Sequence, residues 1–282
     1  MFTGTINVHG ELLDLSIPKV MGIVNFTPDS FFDGSRTPTE QQVEERVGKL
    51  VEEGADILDV GAYSSRPNAD DVPVTEEMQR LKRGLSVLRK VAPNAIVSVD
   101  TFRADVAKMC IEEFGVAIVN DISGGDADTG MLEVISHARV PYIIMHMQGT
   151  PQTMQQNPQY DDVVKEVIAH LAEKVARLHE HEVYDVILDP GFGFGKTLEH
   201  NFELLARLEA FDIFELPLLV GLSRKSMVYK MLGTSPSEAL NGTTVLHTLA
   251  LSKGANILRV HDVKEAVETI RLCQALKKYE FE

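Results

Sequence analysis

The chain has only two cysteines in 282 residues, Cys110 and Cys273, far apart and each inside a helix-like pattern. That excludes a disulfide scaffold and predicts packed thiols in a reducing cytosol. No apolar run approaches the roughly 18–20 residues of a membrane span. The opening MFTGTINVHGELLDL lacks the basic start and apolar stretch of a secretory signal. Basic residues are scarce, 27 against 42 acidic, so the net charge of −15 leaves no basic stripe for nucleic acid. An anionic small substrate is not excluded, because a few placed cations and a metal ion override the global charge locally. Linkers, low-complexity tracts and charge blocks are absent too. With 44% hydrophobic residues, the chain reads as folded around one large core. No histidine or cysteine cluster has zinc spacing.

What is present is one theme repeated. A short run rich in Val, Ile and Leu ends in a polar or glycine-rich motif, and a helical pattern follows. The runs are KVMGIVN, DILDVGA, AIVSVDT, AIVNDIS, VPYIIMHM, DVILDPGFG, LPLLVGLSRK and NILRVHD. Such runs suit the strands of a buried parallel sheet. Between them, Val43, Val47, Leu50 and Val51 share a helix face, with Thr39 and Gln42 as a capping box and Gly54 as a stop. Met78, Leu81, Leu85 and Leu88 repeat the pattern, as do Val164, Ile168, Leu171 and Val175. Eight alternations predict an α/β chain with a single (β/α)8 TIM barrel over 18–282. Residues 1–17 read as an N-terminal β-hairpin of the same domain, turning at His9-Gly10 and able to cover the barrel bottom. A doubly wound sheet is the structural alternative.

In such barrels the active site lies at the C-terminal strand ends. These carry Asn25, Asp59, Asp100, Asn120, His146, Asp189, Ser223-Arg224-Lys225, Arg259 and His261. The stretch LDPGFGFGKT resembles a phosphate loop, but Pro190 stands where the Walker pattern needs its first glycine, and the dinucleotide glycine spacing fails as well. Its glycines are read instead as room for a close ligand beside Asp189, with Phe192 either a wall or core. Asp100 and Asn120 each read alone as loop caps, whereas Asp189, beside close-approach glycines, suits a ligand presenting N–H groups. Together they form an acceptor-rich set that a flat heterocycle with an aminopyrimidine edge would satisfy. Arg224, Lys225, Arg259 and His261 supply the positive side, although Arg224 has a solvated surface role as its alternative. Arg259 and His261 alternate on a strand and so point the same way, toward joint anion binding. Asn25–Arg36 and Gly61–Asp71 read as long loops over the mouth. His146 reads as packed rather than catalytic.

In this order and combination, NFTPDSF, SSRP, SVDT, NDISGG, MHMQGTPQTMQ, DPGFGFGK, GLSRKS and RVHD are specific. From about Pro18 to the last helix, the chain resembles the dihydropteroate synthases. Ser65 stands where threonine is usual and Asn68 where glycine often follows the proline.

The resemblance implies an enzyme transferring an alkyl group other than methyl in folate biosynthesis. The pyrophosphate of 6-hydroxymethyl-7,8-dihydropterin pyrophosphate would leave as the amine of p-aminobenzoate attacks. It implies pterin binding by Asp100, Asn120, Asp189 and Lys225. Asn25 would ligate Mg²⁺ at the pyrophosphate, joined by Ser65, Arg66, Arg259 and His261. Phe31, Arg66, Pro67, Phe194, Lys225 and Ser226 would line the p-aminobenzoate pocket, open to sulfonamides. A cytoplasmic homodimer formed through barrel helices is also implied. The alternatives are a pterin-binding methyltransferase domain, a non-catalytic pterin-binding paralogue and, on the weakest ground, a nucleotide hydrolase. The first would not need Asn25 or the Arg259–His261 pair.

Overall fold

A computed structural model describes residues 4–27, 39–63, 71–150, 153–154, 156–277 and 279. Eight parallel strands run around a barrel: β3 (Lys19–Asn25), β4 (Ile57–Gly61), β5 (Ile96–Asp100), β6 (Ile118–Asp121), β7 (Tyr142–Met145), β8 (Val186–Asp189), β9 (Leu219–Val220) and β10 (Ile257–Val260). Successive strands pair from β3 to β8, β10 pairs with β3 and with β9, and the Leu188–Leu218 bridge closes the remaining gap. Each apolar run predicted as a strand is one. The seventh is the shortest, because the chain leaves the sheet at Gly221 and Arg224 takes a left-handed turn, φ 53°.

Helices cover the outside: α1 (Glu40–Glu52), α2 (Val74–Val91), α3 (Ala104–Phe114), α4 (Met131–Ala138), α5 (Val163–Glu180), α6 (Leu198–Ala206), α7 (Ser226–Leu232), α8 (Leu240–Ser252) and α9 (Val263–Lys277). The Thr39–Gln42 capping box forms at the start of α1. Val43, Val47 and Leu50 are buried as expected. Val51, one residue beyond that stripe, is 45% exposed. Outward-facing strand residues such as Leu58, Val60, Val97 and Val99 join the helices in the main core.

Inward-facing residues alternate with these. Met21, Ile57, Ile118, Ile143, Ile187, Leu219 and Ile257 form an apolar floor. The hairpin β1 (Thr5–Val8) and β2 (Glu11–Asp14) seals that floor with Ile6, Val8 and Leu15. Its two-residue turn uses positive φ at His9 (53°) and Gly10 (84°), which matches the twist of a tight hairpin. Both cysteines are free thiols.

Phe26, which follows Asn25, is almost fully buried and packs on Gly84 of α2. A Cβ at Gly84 would lie 2.3 Å from Phe26 Cε2. Alanine in an open helix stabilises by roughly 1 kcal/mol over glycine. Here Gly84→Ala overpacks the core, and we expect a net loss of about 1–3 kcal/mol in urea unfolding. A raised unfolding midpoint would contradict this packing.

Candidate active site

One layer above the apolar floor, the inward positions turn polar. On β4 the inward series Ile57, Asp59, Gly61 passes from floor to mouth, as does Ile96, Ser98, Asp100 on β5. Ile118 and Asn120 do so on β6, and Ile187 and Asp189 on β8. The register brings Asn25 beside Gly61, Gly61 beside Asp100, and Asp100 beside Asn120. A Cβ on Gly61 would meet Asp100 Cβ at 3.4 Å and Asn25 Oδ1 at 3.6 Å. Both are ordinary contact distances, which place Asn25 and Asp100 on either side of Gly61 at the rim.

Arg259 on β10 reaches across this layer. Its Nε donates to Asp59 Oδ2 at 2.6 Å, and its Nη2 to Asp100 Oδ2 at 2.7 Å. Asn120 Nδ2 donates to the same Asp59 oxygen at 3.2 Å. Burial works against the guanidinium charge, but Asp59 and Asp100 outweigh it and hold Arg259 above its ordinary pKa. Burial likewise pushes the Asp100 carboxyl up, and Arg259 pulls it back. Asp59 stood among the loaded strand ends in the sequence without an assigned role. Its inward phase, two residues from Ile57 and Gly61, is the signal that marks it as part of the site.

On the opposite wall, Asp189 is 7% exposed, and its Oδ1 accepts from Gly191 N at 2.7 Å. Burial raises its pKa, and the Lys225 cation opposes that. Lys225 precedes α7. Its Nζ donates to the Phe192 carbonyl and stands 4.7 Å from the centre of the Phe194 ring. Burial lowers its pKa to about 8. Ser226 opens α7 beside it. Phe192 is fully buried core, so of this pair only Phe194, half-buried, remains a wall of the mouth.

The glycines of this loop do something other than make room for a ligand ring. A Cβ at Gly191 would fall 1.9 Å from the His146 carbonyl oxygen, and one at Gly195 would fall 2.8 Å from the Gln148 carbonyl oxygen. They let the loop lie directly on the backbone after β7. Thr197, the end of the failed phosphate motif, caps α6 in a capping box with His200.

His261 lies at the end of β10. Its backbone N–H donates to Ser223 Oγ at 3.1 Å, and that hydroxyl is 3.0 Å from His261 Nδ1. The hydroxyl therefore holds the imidazole through Nδ1 and leaves Nε2 as the other ring nitrogen for a ligand. Burial, and then the neighbouring Arg259, lower the imidazole pKa to about 4. That shift favours the neutral imidazole at pH 7 over the positive charge expected at His261. Arg224 is neither solvated nor free for an anion. It makes two bonds to Asp262, at 2.8 and 2.9 Å, and two to the carbonyls of Pro236 and Ser237. His146 is packed, as expected, with its pKa lowered to about 2 by burial.

Among the described residues, no group of three or more His, Cys, Asp or Glu side chains could hold a metal ion. That donor set does not suit a resident all-protein metal. It does suit Mg²⁺, which takes few protein ligands and completes its shell with substrate phosphate and water. The Asn25 amide oxygen at the rim fits that arrangement. The structure thus brings Asn25, Asp100, Asn120, Asp189, Lys225, Arg259 and His261 to one mouth, with Phe194 and Ser226 beside Lys225. Phe31, Ser65, Arg66 and Pro67 lie outside the described residues.

The chain matches the pterin binding enzymes over residues 21–261. It is 44% identical over 271 residues to the dihydropteroate synthase of Escherichia coli strain K12, covering 95% of this chain and 94% of the relative. It superposes on the Yersinia pestis dihydropteroate synthase solved with a sulfonamide drug at a TM-score of 0.90, with 39% identity, covering 97% of this chain and 99% of that one. The Xanthomonas albilineans dihydropteroate synthase in complex with 7,8-dihydropteroate superposes at 0.86, with 36% identity over 97% of this chain and 98% of that one. Motif order, barrel, polar mouth and similarity along nearly the whole chain agree: it belongs to the dihydropteroate synthase family of pterin binding enzymes.

Proposed function

We propose that this chain catalyses the dihydropteroate synthase reaction of folate biosynthesis. It joins 6-hydroxymethyl-7,8-dihydropterin pyrophosphate to p-aminobenzoate and releases pyrophosphate. The observation that carries the reading is the two-sided mouth. Asp100, Asn120 and Asp189 offer acceptors to a flat aminopyrimidine, while Asn25, Arg259 and His261 form an anion side. A pterin-binding methyltransferase domain would have no need of that anion side.

The chemistry follows from the arrangement. Asp189 accepts two N–H bonds from the aminopyrimidine edge, and Asn120 and Lys225 complete the cradle. The methylene C–O bond breaks, and its electron pair leaves with pyrophosphate. Arg259 and His261 donate to the departing anion. Positive charge growing on the pterin is stabilised by Asp100 and Asp189, whose positions are fixed before the reaction begins. The amine nitrogen of p-aminobenzoate then forms the new C–N bond and sheds a proton to solvent. That weak nucleophile needs placement more than deprotonation, and Phe194, Lys225 and Ser226 supply it. Mg²⁺, held by Asn25 and substrate phosphate, would neutralise charge on the leaving group.

A homodimer fits the surface. Met231 and Leu232 on α7, Val245 and Leu249 on α8, and Leu272 and Leu276 on α9 are each 46–73% exposed, an apolar face on three consecutive helices. The two free thiols suit a cytoplasmic location. Competition between sulfonamides and p-aminobenzoate belongs to the same reading.

A coupled assay with each substrate omitted in turn tests the function. Pyrophosphate is expected only with both substrates and Mg²⁺, and excess chelator should stop it; release from either substrate alone would refute the reading. Asp189→Asn removes a charged acceptor, so calorimetry should show pterin affinity falling by at least about tenfold; near-normal affinity would remove Asp189 from its role. Lys225 acts as the cation, and its proton leaves near pH 8 rather than at its ordinary 10.5. The kcat/KM for the pterin substrate, which reports the free enzyme, should therefore fall above about pH 8. Lys225→Arg should move that limb upward at a lower plateau, whereas a wild-type profile flat to pH 10 would contradict the assignment. Sedimentation should give the mass of a dimer, and a monomer at micromolar concentration would refute that part.

A further inference from the structure

We propose that Lys196 is a positioning residue for the arylamine pocket. It staples the loop after β8 onto the end of β7, and thereby sets the Phe194 ring and the carbonyl that holds Lys225. The inference rests on the reaction proposed above.

Lys196 is the lysine of the Gly-Lys-Thr that fails as a phosphate loop, and its side chain is directed into the protein, 3% exposed. Its Nζ lies 2.9 Å from His146 Nδ1, 2.9 Å from the Gly191 carbonyl oxygen and 3.1 Å from that of Phe194. The His146 carbonyl oxygen is a fourth, longer contact at 3.4 Å, so all three donors of an ammonium have acceptors. The His146 ring is neutral, and its Nδ1 accepts in the tautomer that carries the proton on Nε2. No carboxylate lies within ion-pair distance of Lys196 among the described residues. Burial without a paired carboxylate works against the charge and lowers the Lys196 pKa to about 7, with the more distant Asp189 opposing that. What the lysine provides instead is orientation.

Its two loop carbonyls, at 191 and 194, flank Phe192. The Phe192 carbonyl accepts from Lys225 Nζ, and the Phe194 ring lies 4.7 Å from that ammonium. One short turn is therefore gripped by two ammonium groups. Lys196 holds it from the buried side, and Lys225 uses it from the pocket side. Gly191 and Gly195 permit this by pressing the loop against the His146 and Gln148 backbone. His146 is the fixed point just after β7, itself packed edge-on against His170 with ring centres 4.8 Å apart. Lys196 touches none of the reacting atoms; it acts through Phe194 and Lys225.

The test is steady-state kinetics on Lys196→Met, Phe194→Ala and the double variant, each shown folded by circular dichroism. Lys196→Met should raise KM for p-aminobenzoate by roughly tenfold, and by more than it raises KM for the pterin substrate. In the Phe194→Ala background the same change should add less than about twofold, because the residue it positions is gone. An unchanged p-aminobenzoate KM in folded Lys196→Met, or effects that multiply in the double variant, would overturn the proposal. If Lys196→Met does not fold, Lys196→Gln keeps two donors and should give a smaller rise in the same KM; no rise would again overturn it. A wild-type chain that makes no dihydropteroate would overturn the reaction itself, and this inference with it. Wild-type activity with an unchanged variant KM would overturn this inference alone.

Discussion

The arrangement turns on one buried cation. Arg259, on the last strand, is held by Asp59 and Asp100 from strands β4 and β5, inside a barrel that closes only because β10 pairs with β3. Taking one partner from such a set leaves an unbalanced buried charge, at a cost of about 3–5 kcal/mol. The guanidinium therefore fixes the two carboxylates as firmly as they fix it. Asn120 joins through the same Asp59 oxygen. A cation meant for a leaving anion and a carboxylate meant for a ring are thus placed by one network.

The floor beneath it makes this network affordable. Isoleucines, leucine and methionine fill the lower barrel, and the N-terminal hairpin seals it, so the polar layer opens only at the mouth. In the proposed reaction the mouth divides: Asp189 and Lys225 serve the ring on one wall, while Arg259, His261 and Asn25 serve the anion on the other. Burial beside Arg259 holds the His261 pKa down, and Ser223 fixes the ring through Nδ1.

Much of this was legible in the sequence. The strands could be read because strands buried on both faces are continuous apolar runs. Their polar ends marked the mouth, and Pro190 broke the spacing that a nucleotide loop needs. What could not be read depended on the directions of backbone carbonyls and on burial. Lys196 looked like the end of a phosphate motif, yet its partners are two carbonyls of its own loop and a ring nitrogen 50 residues away. The glycines at 191 and 195 signalled close approach correctly but not to what: the neighbour is the chain after β7. Arg224 could not be told from a surface arginine until Asp262 was seen beside it. The charge of His261 depends on its surroundings, which a strand pattern does not specify.

The central claim is that the mouth cleaves the carbon–oxygen bond of a pterin methylene and replaces it with carbon–nitrogen. A pterin pyrophosphate carrying ¹⁸O in the bridging position tests this directly by mass spectrometry. With p-aminobenzoate present, the label should leave wholly in pyrophosphate, matched one for one by unlabelled dihydropteroate. Label retained in a pterin alcohol would mean that phosphorus–oxygen cleavage occurs instead, and would contradict the account.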